Sequence, residues 1–119
     1  MPYTKMVVSF GIAIWLAGCA TSSPISPVQS SKSGFDGAFY DGQSTVLAET
    51  PRGLQEFRIF HQGATGFVSV QSVRESVEQR ASNYCAEQKK RLLRLRERTS
   101  VPPHVAGNFP RVELIFGCT

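Results

Sequence analysis

Three cysteines, two histidines and one dense basic run are the reactive or strongly polar features that stand out in this chain of 119 residues. Cys19, Cys85 and Cys118 include no Cys-x-x-Cys spacing, so a dithiol redox centre is not encoded locally. His61 and His104 are the only histidines; they sit on unrelated segments with no third ligand at metal-site spacing, so no metal is expected. Asp36 and Asp41 fall in a glycine-rich stretch with too few oxygen donors in sequence for a calcium loop. Neither a G-x-S-x-G nor an S-x-x-K motif is present, and no Gly-rich phosphate loop opens a helix. The expectation is a protein that is not an enzyme and carries no cofactor.

The basic run is Lys89, Lys90, Arg91, Arg94, Arg96 and Arg98, against the single acid Glu97. It accounts for the whole net charge of +4. Arg94, Arg96 and Arg98 alternate, which on one strand face forms a stripe matched to phosphate or carboxylate groups. The plainer reading is a solvated strand face, with the lysines complementing the negative end of a helix. Two further segments, 60–67 and 107–111, are rich in glycine, aromatic and amide residues. If they meet at one end of a sheet, His61, Phe67, Asn108 and Arg111 could line a ligand pocket; otherwise Phe67 and Phe109 plug the core.

The elements that must position these groups follow from periodicity. Residues 20–34 are dominated by Ser, Pro and Gly and read as a disordered tether, with a flexible reach of roughly 20 Å. Residues 35–54 read as irregular, with room for one short strand. A compact domain is expected over 55–119. Its first strand is Glu56–His61, and its helix runs from about Ser72 to Lys89, with Ser72 and Glu75 as a capping box and Val73, Val77, Ala81 and Cys85 on the apolar stripe. A second strand contains Leu93 to Arg98, and the third places Val112, Leu114, Phe116 and Cys118 on one face and Arg111, Glu113, Ile115 and Gly117 on the other. The expected fold class is α+β, a small β-α-β-β domain. Its three-stranded, mainly antiparallel sheet has the third strand in the middle and the helix on one face; the first two strands run parallel to each other.

The amino-terminal residues have a different character. Lys5 precedes an uninterrupted apolar or small run, Met6 to Ala17, which is too short to span a bilayer and reads as a secretory signal over residues 1–18. Leu16-Ala17-Gly18-Cys19 resembles the lipobox of bacterial lipoproteins. The resemblance implies cleavage before Cys19 and lipidation of that residue (a diacylglyceryl group on sulfur, acyl on the new amine). Because Ala20 and Thr21 follow rather than Asp, it also implies sorting to an outer membrane. The remainder is similar to small single-disulfide lipoproteins of Gram-negative bacteria, a likeness that imports a location but no catalytic residue.

With Cys19 lipidated, two cysteines remain in an oxidising compartment. Cys85 on the helix stripe and Cys118 on the inward strand face are expected to meet as a disulfide, the alternatives being two buried free thiols or a redox pair. The functional expectation is a lipid-anchored envelope protein with a non-catalytic structural or partner-binding role in the periplasm. Its partner would be an envelope protein or an anionic envelope component, not nucleic acid. The alternative is an exported small-ligand or inhibitor module using the glycine-aromatic loops.

Overall fold

A computed structural model describes residues 21–119; the signal segment 1–18 and Cys19 lie outside the described residues. The fold is α+β, a six-stranded antiparallel sheet with one helix packed on it. The strands are β1 (Thr21–Ser22), β2 (Ser26–Pro27), β3 (Gln43–Val46), β4 (Phe57–Gln62), β5 (Leu92–Thr99) and β6 (Arg111–Cys118), and the helix α1 is Val70–Glu87. Along the sheet the order is β1-β4-β6-β5-β3, and β2 also pairs with β4. The three core strands stand as expected, with β6 central and β4 and β5 both antiparallel to it, hence parallel to each other.

The expectation of three strands preceded by a disordered tether is corrected. Residues 21–46 contribute β1, β2 and β3, so both outer positions of the sheet come from the segment read as tether and irregular chain. The cause lies in β6, whose eight residues are all buried. A strand covered on one face only would leave Arg111, Glu113 and Ile115 in water, but these are 5%, 5% and 8% exposed. Something must cover that second face, and the preceding chain does. At Gly117 the cover is so close that a Cβ would collide with the Leu54 side chain.

On the other face, α1 lays Val73, Val77, Ala81 and Cys85 against Ile59, Val112, Leu114, Phe116 and Cys118. Ser69, not Ser72, caps the helix: it is extended, and its Oγ accepts the Ser72 N–H at 3.0 Å. The cap stands one turn earlier than the capping-box reading placed it because the apolar stripe already starts at Val70, which packs against the core. At the other end Lys89 adopts φ 57°, and the Lys90 N–H reaches back to the Cys85 carbonyl at 3.0 Å, the reversal that closes helices through a left-handed residue. Lys89, Lys90 and Arg91 therefore lie in the turn beyond α1 rather than in its last turn. The disulfide joins Cys85 to Cys118 across this interface.

Candidate functional site

The three arginines of the expected stripe do not share a face. In the β5–β6 ladder Arg94 stands opposite Phe116 and Arg96 opposite Ile115, so Leu95 is an inserted residue, a β-bulge. A one-residue insertion sends every later side chain to the other face. Arg94 consequently lies on the helix side, where it bridges Glu78 at 2.6 Å. Arg96 and Arg98 face the opposite side, opposite Ile115 and Glu113. Glu97 then falls on the helix side, opposite Leu114, and Arg74 of α1 pairs with it at 2.9 Å. The bulge is stitched in place by the Leu95 carbonyl, which accepts N–H groups from Leu47 (2.8 Å) and Ala48 (3.2 Å) just beyond β3.

The face opposite the helix is where charge collects. Phe35, 1% exposed, is its centre, meeting Phe60 edge-on at 5.9 Å between centroids. The guanidinium carbons of Arg98 and Arg111 lie 4.9 Å and 4.6 Å from the Phe35 centroid, both cations over one ring. Backbone carbonyls of the same loop hold them: Arg98 Nε donates to Asp41 O at 2.7 Å, and Arg111 Nη2 to Tyr40 O at 3.1 Å. Burial and the neighbouring Arg98 charge both push the Arg111 pKa down from its ordinary value. Glu113 anchors the loop from beneath. Its carboxylate accepts Ser33 Oγ at 2.8 Å and the Gly34 N–H at 2.6 Å.

Beside this assembly lies a cleft of about 270 Å³, lined by Ser33, Ser44, Arg58, Arg96, Arg98 and Glu113 among others. Its cations differ in how far they are neutralised. Arg96 grips Glu56 with both terminal nitrogens, at 3.2 and 2.7 Å. That fork, with a bond from Thr50, holds the Glu56 carboxyl below its usual range, and Glu56 in turn raises the Arg96 pKa. Arg58, opposite Ile115 on β4, has no such partner: among the described residues it joins none of the ion pairs, and its buried Nε has no hydrogen-bond acceptor. A buried donor without an acceptor costs about 1–3 kcal/mol, more when charged. Arg80 Nη1, on α1 and away from the cleft, is the other described side-chain nitrogen left in this state. Nothing in the sequence flagged Arg58, because a lone arginine in an aromatic strand looks like any solvated strand residue.

The second expected site does not assemble. The glycine-aromatic segments do meet at one end of the sheet, where the Gly63 N–H donates to Pro110 O at 2.8 Å. Yet the four proposed lining residues diverge. Asn108 is buried and spends its amide N–H groups on the carbonyls of Val101 and Pro103, both at 2.8 Å. Arg111 turns to Phe35. His61 stands opposite Val112 on the helix side, its Nδ1 hydrogen-bonded to Ser22 Oγ; burial first, and then the Arg80 charge, lower its pKa. Phe67, expected in that pocket or as a core plug, is fully exposed. His104 also finds a serine, with Nε2 at 2.9 Å from Ser100 Oγ. That hydroxyl already accepts the Arg111 N–H at 2.9 Å and closes the neck of the 100–111 loop, which makes the pair a structural clasp.

Among the described residues no group of three His, Cys, Asp or Glu side chains could hold a metal ion, and no helix is long and apolar enough to cross a membrane. No protein-family model, curated protein or solved structure matches the chain.

Proposed function

We propose that this is an exported, lipid-anchored lipoprotein of the cell envelope whose role is binding rather than catalysis, and that its cleft receives an anionic group of an envelope component. The Leu16-Ala17-Gly18-Cys19 sequence supports the address, and the Cys85–Cys118 disulfide is in keeping with an oxidising compartment. The observation that carries the binding role is the pair of cations on the cleft wall, Arg58 and Arg98, neither of which has a carboxylate partner in an ion pair among the described residues. Phosphate and carboxylate are the groups whose oxygens match a guanidinium fork. The glycine-aromatic loops are the weaker candidate, because His61, Phe67, Asn108 and Arg111 do not converge on one pocket.

The anchor is tested with Cys19→Ser in the full chain, followed by membrane fractionation and mass analysis of the amino terminus. The expected result is a protein with no acyl mass, recovered in the soluble fraction. A variant that still pellets with membranes would remove the anchor from the proposal. The cleft is tested by titrating the detergent-solubilised protein with inorganic phosphate at low salt. Arg58→Ala is expected to weaken binding roughly tenfold or more, the loss of one charge-assisted contact. Arg94→Ala, on the helix side, is expected to leave it unchanged. Equal losses in the two variants, or no phosphate binding by the parent, would sink the cleft as the site.

A further inference from the structure

The lipid address and the fold together constrain more than location. The ladder pairs Thr21 with Gln62 and Ser22 with His61, so the described chain joins the sheet where β4 ends. Gln62 stands opposite Arg111, the first residue of β6, and Thr99, the last of β5, pairs with both Val112 and Gln43. One end of the sheet therefore carries the beginning of β1 and three loops, residues 36–42, 63–69 and 100–110. Cys19 precedes Thr21 by two residues, a covalent reach of at most about 7 Å. The long tether expected from composition is taken up into β1 and β2, so acyl chains on Cys19 are tied directly to this end of the fold.

The same end is unusually apolar for a solvent-facing surface. Phe39 and Phe67 are 91% and 101% exposed, and Val101 and Val105 are 47% and 61% exposed; among the described residues the other exposed large hydrophobics are Val46 and Leu47, which lie elsewhere. Residues 63–69 and 100–110 contain no Asp, Glu, Lys or Arg, and the 36–42 loop that presents Phe39 carries two acids, Asp36 and Asp41, at its margins. The turns at the far end hold Glu49, Arg52, Glu56, Lys89, Lys90 and Arg91. The apolar loops are also held together. Gly66 lies so close to the His104 carbonyl that a Cβ would collide with it, and Tyr40 Oη donates to Ala106 O at 3.2 Å. Inside the 100–110 loop, the Asn108 bonds to Val101 and Pro103 fix the backbone that presents Val101 and Val105. A shallow groove of about 390 Å³ runs between Phe39, Tyr40, Pro103 and Val105.

On the reading that Cys19 is lipidated, we propose that this loop end is a membrane-seating surface. Phe39, Phe67, Val101 and Val105 dip into the headgroup region of the bilayer that holds the Cys19 acyl chains. Aromatic side chains favour that interface, where an apolar ring meets hydrocarbon and the neighbouring backbone stays hydrated. Single side chains bind a bilayer weakly. Here the anchor makes their insertion intramolecular, so a small interfacial preference suffices to fix the orientation. The domain then lies against the membrane with its charged turns outward, instead of swinging on a long leash.

The test exploits the position of the chain's only tryptophan. Trp15 lies in the leader, so cleavage before Cys19 leaves a processed protein with none. Phe67→Trp and Phe39→Trp place single reporters at the apolar end, and Lys90→Trp places one at the far end. Each full-chain variant is produced with its signal, checked for acyl mass at Cys19, and reconstituted into phosphatidylethanolamine–phosphatidylglycerol vesicles containing a lipid spin-labelled near the top of its acyl chains. For seating at about 5–10 Å depth, the two apolar-end reporters should shift to the blue and lose roughly half of their emission, while the Lys90→Trp reporter keeps its own. An acylated, vesicle-bound protein in which all three reporters escape quenching overturns the seating alone. A protein without acyl mass at Cys19 overturns both the seating and the anchor on which it rests.

Discussion

Cys85→Ala and Cys118→Ala should each lower the free energy of unfolding by about 3.7 kcal/mol, the chain-entropy value for cross-linking residues 33 apart. Chemical denaturation of the oxidised parent and the two variants measures it. The two losses should agree closely, because either substitution removes the same bond from the same interface. Both sulfurs belong to the helix–sheet core, with Cys85 fully buried and Cys118 5% exposed, so each variant also leaves a comparable small void. A typical domain of this size is stable by only 5–15 kcal/mol, so the bond accounts for a large share of the margin. Losses differing by several kcal/mol would mean that the two cysteines contribute through separate contacts.

Phe35→Ala is expected to cost about 3–5 kcal/mol, the range for emptying a buried aromatic position. A residue in a loose tether would cost almost nothing, which makes this the sharpest test that residues 33–46 belong to the folded unit. Phe35→Leu refines it. That substitution keeps most of the buried apolar volume but removes the ring beneath Arg98 and Arg111, and should cost only about 1–2 kcal/mol, from poorer packing and the lost cation–π contacts. Urea denaturation of both variants measures the difference. Equal and negligible effects would show that the segment does not hold the second face of the sheet.

Much of the core was legible from periodicity. The alternation of Val112, Leu114, Phe116 and Cys118, and the stripe of Val73, Val77, Ala81 and Cys85, each match one geometry, and they meet in the structure as one cluster. The order β4-β6-β5 was expected from the crossover helix and from the third strand being the most apolar of the three. What composition concealed was the covering of the second face. Thr21–Ser22, Ser26–Pro27 and Gln43–Val46 are short and polar, and they become strands because longer neighbours offer them a ladder, not through any propensity of their own. Phe35 could not be told from its neighbours Phe39 and Tyr40 by type, and of Phe35 and Phe39 only Phe35 is buried.

The candidate site was hidden by a different mechanism. Leu93 to Arg98 alternates so regularly that the spacing points to one charged face, and an inserted residue leaves no mark on such a pattern. Glu97 was the available clue, since an acid that continues the Leu93–Leu95 face breaks the apolar pattern. In the structure it is buried on the helix side with Arg74 as its partner, and the bulge divides the arginines between the two sides. Arg58 could not be singled out by type or spacing. Its significance lies in the carboxylate it lacks, which only three-dimensional proximity reveals.

The brevity of the sheet's outermost strands has a consequence for a protein held among many copies of itself. A long, flat rim of unpaired amides and carbonyls is a template for recruiting a neighbour's backbone into a continuous ribbon. Among the described residues one rim is made of two-residue pieces interrupted by prolines, and the other is the four-residue β3. Neither of these described rims presents enough contiguous backbone to propagate. If anchoring concentrates the molecules in two dimensions, they can crowd against one another and still remain separate units rather than polymerise.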